Sequence, residues 1–377
     1  MSNWQGKYVI GLTGNIATGK SVVRKMLEHL GAYSIDADAL SHRAMAKGAP
    51  AYQPVLDTFG KWLLNEDKEI DRKKLGQIVF NSPEAMETLE NIVHPFVRQA
   101  IEILTKRSKH KVVVIEAIKL LEGDLAALCD SIWVTDAPES LQKARLMKKR
   151  GFSEAEAYRR IRMQNPQKDK VDAADVVIDN TGSFTELWKQ VSAGWRRIDR
   201  QGKEETTAEV VREAKSGEFA VKRGHPRNAS AIAALMTTLG KTPMNADDVM
   251  EAFGEKAFFI LELDQKMVGL AGWQVENLVT RVIDLYALPD IDLAKGLKIL
   301  IEEIESASKS LQSEASLLFL KEELAKHEDI WQSLGYQKRT PQTLGVRVWR
   351  DAAEEKLTPD RTLFFKQLRV DRVLRPI

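Results

Sequence analysis

Through the first 200 residues, short β-branched apolar runs alternate with longer segments whose apolar positions recur at helical spacing. That alternation predicts a parallel sheet flanked by helices. The expected strands are 8–13, 32–35, 112–116, 131–135 and 176–179, and residues 22–30 continue as a helix. Between Ala39 and Ser108 the strand pattern stops, and amphipathic stretches such as 72–80 and 95–105 predict a helical insertion over one sheet edge. Such an insertion could bind a second substrate. Ser153 with Glu156, and Ser183 with Glu186, have capping-box spacing and mark two helix starts.

Residues 201–217 are polar and charged and read as a linker with a helical stretch inside it. Beyond them the order changes: strand 219–223, helices 228–239 and 247–253, then strands 257–263, 267–273 and 281–288. Helix 293–307, strand 316–319 and helix 322–334 follow. Three consecutive strands with short turns, such as Asp264-Gln265-Lys266, predict a mixed, partly antiparallel sheet. The fold class is therefore α/β: a first domain over 1–200, the linker, and a smaller mixed α/β domain over 218–377. A chain of 377 residues exceeds the usual ceiling for one hydrophobic core, which agrees with two domains.

Composition narrows the partners. With 56 basic and 54 acidic residues the formal charge is +2, too weak a field to suggest nucleic acid. The single cysteine, Cys129, cannot form an internal disulfide, and its setting in 125–129 reads as a packed helix. No run of about 18 apolar residues is present, and residues 8–12 are too short for the core of a signal peptide. A cytoplasmic protein outside the membrane is expected, and its oligomeric state stays open.

The strand at 8–13 leads into Gly14-Asn15-Ile16-Ala17-Thr18-Gly19-Lys20-Ser21, the eight-residue phosphate loop in its required strand-to-helix setting. Its glycines let backbone N–H groups close on phosphate oxygens, Lys20 carries an ammonium to the β- and γ-phosphates, and Ser21 offers a hydroxyl to Mg²⁺. ATP is the expected co-substrate. Asp36-Ala37-Asp38 follows the second strand, at the same carboxyl edge of the sheet. A carboxylate there can accept the proton of an attacking hydroxyl, and Asp38 is the candidate base; the alternative is that both aspartates cap the helix that starts near Ala37.

Ile10-Gly11-Leu12-Thr13-Gly14, Thr18-Gly19-Lys20-Ser21 and Ile35-Asp36-Ala37-Asp38 together resemble the dephospho-coenzyme A kinase family. The resemblance continues through His94-Pro95-Phe96-Val97-Arg98, similar to the family's His-Pro helix start, then Leu120-Leu121-Glu122 and Leu128-Cys129-Asp130. Gln142 and Arg145, Arg160-Ile161 with Gln164, Ala174 to Asn180, and Gly182-Ser183 complete it over about residues 7–195. It implies transfer of the ATP γ-phosphate to the ribose 3′-hydroxyl of dephospho-coenzyme A, the last step of coenzyme A synthesis. By the same resemblance Asp38 is the base, Lys20 the phosphate clamp and Arg145 a cation near the transferring phosphoryl. Asn180 joins the ATP site, and Asp38, His94 and Arg98 are expected to bind the acceptor. His94 reads equally as a core histidine.

Two positions depart from the family. Ile118-Lys119-Leu120 stands where Pro-Leu-Leu is usual, so the turn after the third strand is expected to be built differently. Glu116 stands where an aspartate is usual; it could orient a Mg²⁺-bound water, or serve as a surface or helix-capping group. Residues 145–164 carry Arg145, Lys148, Lys149, Arg150, Arg159, Arg160 and Arg162. Such a helix pair suits a lid that closes over ATP, with Arg150 at the turn before Gly151; a solvated basic helix would look similar.

Residues 218–350 resemble a GNAT-type N-acetyltransferase fold, through Phe219 to Gly224, Met267 to Trp273 and Ile330 to Tyr336. That family cradles the coenzyme A pyrophosphate on a glycine-rich turn, whereas this chain reads Pro289-Asp290-Ile291-Asp292-Leu293-Ala294-Lys295-Gly296-Leu297. The family's frequent tyrosine acid falls at Trp331, which has no proton to give a thiolate. A degenerate module is expected, with a structural, oligomerising or acyl-coenzyme A-sensing role. Two other readings of the whole chain stay open: a kinase for another nucleoside or small alcohol, and a nucleotide-dependent regulatory module without a phosphoryl acceptor.

Overall fold

The computed structural model describes residues 4–199, 217–240 and 243–370. The expected linker, 201–217, lies outside the described residues apart from Gly217. In the amino-terminal half β1 (Tyr8–Thr13) passes through the phosphate loop into α1 (Lys20–His29). β2 (Tyr33–Asp36) runs directly into α2 (Ala37–Ala44), because the Asp36 carboxylate accepts the Ala39 N–H at 2.8 Å and starts the helix. α3 (Tyr52–Phe59), α4 (Arg72–Val79) and α5 (Pro83–Arg107) form the helical insertion. β3 (Val112–Glu116), β4 (Ser131–Asp136), α6 (Glu139–Arg150), α7 (Glu154–Arg162), α8 (Gln167–Asp172), β5 (Val176–Asp179) and α9 (Phe184–Asp199) complete this half.

Its five strands are parallel, in the order β2-β3-β1-β4-β5. Strand alternation divides the core between the two faces. Ile10, Leu12, Val112 and Val114 pack with Val23, Met26 and Leu27 of α1 and with Val191 and Trp195 of α9. Val9, Val113 and Ile115 pack with the insertion, through Leu40, Val55, Leu75, Val97, Ile101 and Leu104. Because β1 is central, the loop after it opens at the carboxyl edge where the chain crosses from one side of the sheet to the other.

Two expectations need correction here. His94-Pro95 does not start a helix; it lies inside α5, which begins at Pro83 behind a Ser82 cap. The buried stripe Val93, Val97, Ala100, Ile101 and Leu104 runs straight through, and the Pro95 ring is exposed, so the helix survives the lost N–H. Residues 125–129 form only a 3-10 turn, Ala126–Leu128. There Asp130 is drawn into the sheet: its N–H donates to Val9 O at 2.7 Å, and its carboxylate accepts the Val9 N–H.

The carboxy-terminal half contains β6 (Phe219–Arg223), α10 (Ala229–Gly240), α11 (Ala246–Ala252), β7 (Ala257–Leu263), β8 (Lys266–Glu276) and β9 (Val279–Ala287). It continues with α12 (Leu293–Ser310), β10 (Ala315–Lys321), α13 (Glu322–Ala325), α14 (Glu328–Ser333), β11 (Gln337–Lys338), α15 (Arg347–Lys356) and β12 (Arg361–Gln367). The seven strands are ordered β11-β12-β10-β9-β8-β7-β6, antiparallel except between β9 and β10. The expected helix 322–334 is split into α13 and α14, because Trp331 turns fully into the core and donates Nε1–H to Leu324 O at 2.9 Å. α15, β11 and β12 carry no pattern that the sequence reading picked out.

The halves pack on each other. Leu278 and Leu311 join the insertion-side core, and Phe184 of α9 packs against the cluster around Phe253. No helix among the described residues is long and apolar enough to cross a membrane.

Candidate active site

The phosphate loop is held from all sides by the protein's own groups. Gly19 sits at φ 103°, and a Cβ there would come within 1.9 Å of Asn180 Nδ2. Asn180 donates that amide to Thr18 O at 2.8 Å, and its own carbonyl accepts Arg145 Nη2–H at 2.7 Å. Arg145 Nη1 also reaches Ala17 O at 3.2 Å, so one guanidinium ties the loop to the Asn180 backbone. The Ile16 and Asn15 N–H groups donate to the side-chain oxygens of Gln164 and Gln167 at 2.7 and 2.8 Å. Lys20 Nζ folds back to Gly14 O at 2.8 Å and Asn15 O at 3.3 Å. Burial lowers the Lys20 pKa, and the nearby carboxylates of Glu116, Asp38 and Asp36 oppose that effect.

The carboxylates lie beside this loop at the ends of β2 and β3. Asp36 is the α2 cap, as the alternative reading held for it. Asp38 does not cap: its Oδ2 accepts the Ile118 N–H at 3.1 Å, across the turn after β3. Burial, then the Asp36 charge, raise the Asp38 pKa, while the Ile118 N–H, Lys20 and Lys170 pull it back. A half-buried carboxylate with raised pKa at a sheet edge suits general-base work. The departure at Ile118-Lys119-Leu120 is thus met by a turn whose first residue binds Asp38 by its N–H and Thr13 Oγ1 and Lys170 Nζ by its carbonyl.

Glu116 is neither a surface group nor a cap. It is 5% exposed, its Oε1 accepts the Ser21 hydroxyl at 3.4 Å, and its Oε2 faces Arg24 Nε at 2.7 Å. Burial pushes the Glu116 carboxyl upward, and the Arg24 guanidinium holds it toward the ionised form. The exposed Ser21 hydroxyl beside this carboxylate is a hard-oxygen pair of the kind that fits Mg²⁺ carried in on phosphates. Among the described residues no three His, Cys, Asp or Glu converge to hold a metal alone.

The lid expectation falls on α6 and α7, joined at Gly151 in the left-handed region (φ 65°). Lys148, Arg150, Arg159, Arg160 and Arg162 are exposed; Arg160 pairs with Glu156 at 3.2 Å and lies over the Phe152 ring. Gln142 is buried and donates to Ala137 O at 2.8 Å, securing the start of α6. His94 and Arg98 stand one turn apart on the exposed face of α5, and neither is among the hydrogen-bond partners of Asp38. Arg98 pairs with Glu102 and with Asp124 of the loop after β3, at 3.5 and 3.7 Å.

Sequence reasoning missed three members of the site. Arg24 follows Lys20 and Ser21 at helical spacing on the inward face of α1, a signal present in the sequence. Gln167 braces the loop, as above. Lys170 is 3% exposed, donates to Ile118 O at 2.6 Å and carries a pKa lowered by burial; only folding brings it to Asp38.

In the carboxy-terminal half, the turn 289–297 leads into α12 with Asp292 as its cap, the carboxylate accepting the Lys295 N–H at 3.1 Å. That carboxylate occupies one of the free backbone N–H groups at the start of the helix, where an anion would otherwise bind. β9 and β10 stop pairing after Val282 and Leu318, and Arg361 fills the gap between them, donating Nη1–H to Ile283 O and Phe319 O.

The sequence profile of the CoaE family, dephospho-CoA kinase, matches residues 8–186. The dephospho-CoA kinase of Carboxydothermus hydrogenoformans is 47% identical over 187 residues, covering 48% of this chain and 90% of that protein. That of Aquifex aeolicus is 44% identical over 192 residues, covering 51% and 97%. The ribosomal-protein-S18-alanine N-acetyltransferase structure from Escherichia coli is 14% identical with a TM-score of 0.33, covering 41% of this chain and 97% of that one. With nearly the full length of the kinases reproduced in its amino-terminal half, this chain belongs to the dephospho-CoA kinase family.

Proposed function

We propose that the amino-terminal half transfers the γ-phosphoryl group of Mg²⁺-ATP to the ribose 3′-hydroxyl of dephospho-coenzyme A, giving coenzyme A and ADP. The observation that carries this reading is Asp38, a half-buried carboxylate of raised pKa set beside the phosphate loop and oriented by Ile118. Asp38 accepts the proton of the acceptor hydroxyl as the phosphoryl group arrives. Lys20 neutralises phosphate charge, and Arg145, already bonded to the loop at Ala17 O, supplies a second cation there. Ser21 and Glu116 would hold Mg²⁺, directly and through water, and the ion would offset phosphate charge. Loop residues Gly14 to Ser21 would bind ATP, with Asn180 keeping the backbone open to it. His94 and Arg98 face solvent on α5, where a long acceptor could lie along the insertion.

We assign the kinase domain to residues 1–200 and the second domain to 218–377, in a cytoplasmic protein. The second domain is read as structural rather than acetyl-transferring, supported by the Asp292 cap, the Arg361 plug and the internal bond of Trp331. A panel of dephospho-coenzyme A, uridine and small alcohols, read by ADP release, tests the acceptor. ADP release with dephospho-coenzyme A alone is expected; equal or greater release with another acceptor would overturn the assignment.

A further inference from the structure

The β8–β9 hairpin ends in a tight turn at Asn277 and Leu278, with φ of 52° and 59°, and this tip points into the kinase half. Three consecutive residues at the tip are each met by a cation from α1 or α2. Lys25 Nζ reaches Val275 O at 3.3 Å, Arg24 Nη2 approaches Glu276 Oε1 at 3.9 Å, and Arg43 Nη1 donates to Asn277 O at 2.7 Å. Leu278 completes the plug by packing on the insertion-side core that also contains Tyr33, Ile35, Leu40 and Leu104.

The tightest of these contacts extends to Glu314. Arg43 Nη2 meets Glu314 Oε1 at 2.7 Å, with the two side chains 8% and 1% exposed. Glu314 is itself fixed: its N–H donates to Leu278 O at 2.7 Å, and its carbonyl accepts the Leu368 N–H at 2.9 Å. Its second carboxylate oxygen has no hydrogen-bond partner, so Arg43 is the group that compensates this buried charge. Arg43 lies in the last turn of α2, and Asp38 lies in the first turn of the same eight-residue helix. A buried ion pair anchored in one half thus sets the far end of the helix that carries the reactive carboxylate of the other.

We propose that Glu314, acting through Arg43, is a positioning residue for phosphoryl transfer: the carboxy-terminal half holds α2, and with it Asp38, in register with the phosphate loop. The inference rests on the reading of Asp38 as the base. It gives the second domain a role that needs no ligand and no chemistry of its own. A shift of α2 by a fraction of a turn would leave the ATP site intact and move the base away from the acceptor hydroxyl.

The test uses the full chain with Glu314→Gln, and the charge-free pair Arg43→Met with Glu314→Met. Turnover is normalised to the fraction of molecules that bind ATP, so that partly folded samples still report. Glu314→Gln is expected to lower kcat by about 10–100-fold, with the KM for ATP unchanged, as misplacement of a catalytic group does. The double variant leaves no buried charge unpaired and should regain much of the lost thermal midpoint while kcat stays low. Wild-type kcat per ATP-binding molecule in either variant, or kcat recovering together with the midpoint, would show a purely structural contact and overturn the proposal. Asp38→Asn measured beside them separates the two readings. If it keeps full turnover, the base assignment fails and the positioning role falls with it; if it loses turnover while Glu314→Gln does not, the positioning role alone fails.

Discussion

Gly19 has a backbone angle that L side chains rarely adopt, and its missing Cβ is where Asn180 Nδ2 passes to reach Thr18 O. Gly19→Ala must therefore strain the loop, by about 1–3 kcal/mol, and displace Asn180 as well. The expected result is loss of ATP binding by calorimetry with the circular dichroism spectrum unchanged; retained affinity would mean the loop relaxes freely. Asp38 offers a second residue-level test. A base works when ionised, and burial together with the Asp36 charge raises its pKa, so kcat should fall on the acid side at a pH above the ordinary carboxylate range. Lys170 is one of the groups that oppose that rise, so Lys170→Met should move the acid limb of the kcat profile to still higher pH. An acid limb that stays in place would remove Lys170 from the electrostatics of the base.

Between elements, the junction of α1 with α11 is made by His29, whose Nε2 bonds to Phe253 O at 2.8 Å and whose ring meets the Phe253 ring edge-on. Desolvation lowers the His29 pKa from 6.5 to about 4. A neutral histidine of lowered pKa contributes stability that is present above the unfolded value of 6.5 and is lost as pH falls toward 4. Thermal midpoints should drop through that window, and His29→Gln, which can still donate to Phe253 O but does not titrate, should flatten the drop. An unchanged slope would assign the acid sensitivity to other groups. The same elements show what a linear pattern can reveal. Strands such as Tyr8–Thr13 and Val176–Asp179 were legible because each is a short apolar run bounded by turn residues. α5 was read as starting twelve residues late, because Pro95 looks like a helix start when its solvent-facing position is unknown. α15 went unread although Trp349, Ala352 and Ala353 recur at helical spacing, and β12 went unread because its pairing with β10 joins segments about 45 positions apart. Lys170 and Glu314 escaped for a related reason: a buried charge is recognisable only beside its partner.

For the whole molecule, the phosphate loop, the carboxylates at the strand ends and the braces from α6 to α8 form one site in the amino-terminal half, and the carboxy-terminal half grips the helices that bear it. The candidate residues Lys20, Ser21, Asp38 and Arg145 stand at ordered spacings that a motif reading picks out; the cross-half grip has no such spacing, since Arg43 and Glu314 are 271 positions apart. The central claim is that this chain phosphorylates dephospho-coenzyme A with Asp38 as the base. The most direct test is the rate of ADP release from Mg²⁺-ATP, with and without dephospho-coenzyme A, for the wild type and Asp38→Asn. The account predicts strong acceptor-dependent release that falls by about 10²–10⁴ in the variant with ATP affinity retained. ATP binding without acceptor-dependent release in the wild type, or full turnover in Asp38→Asn, would contradict it.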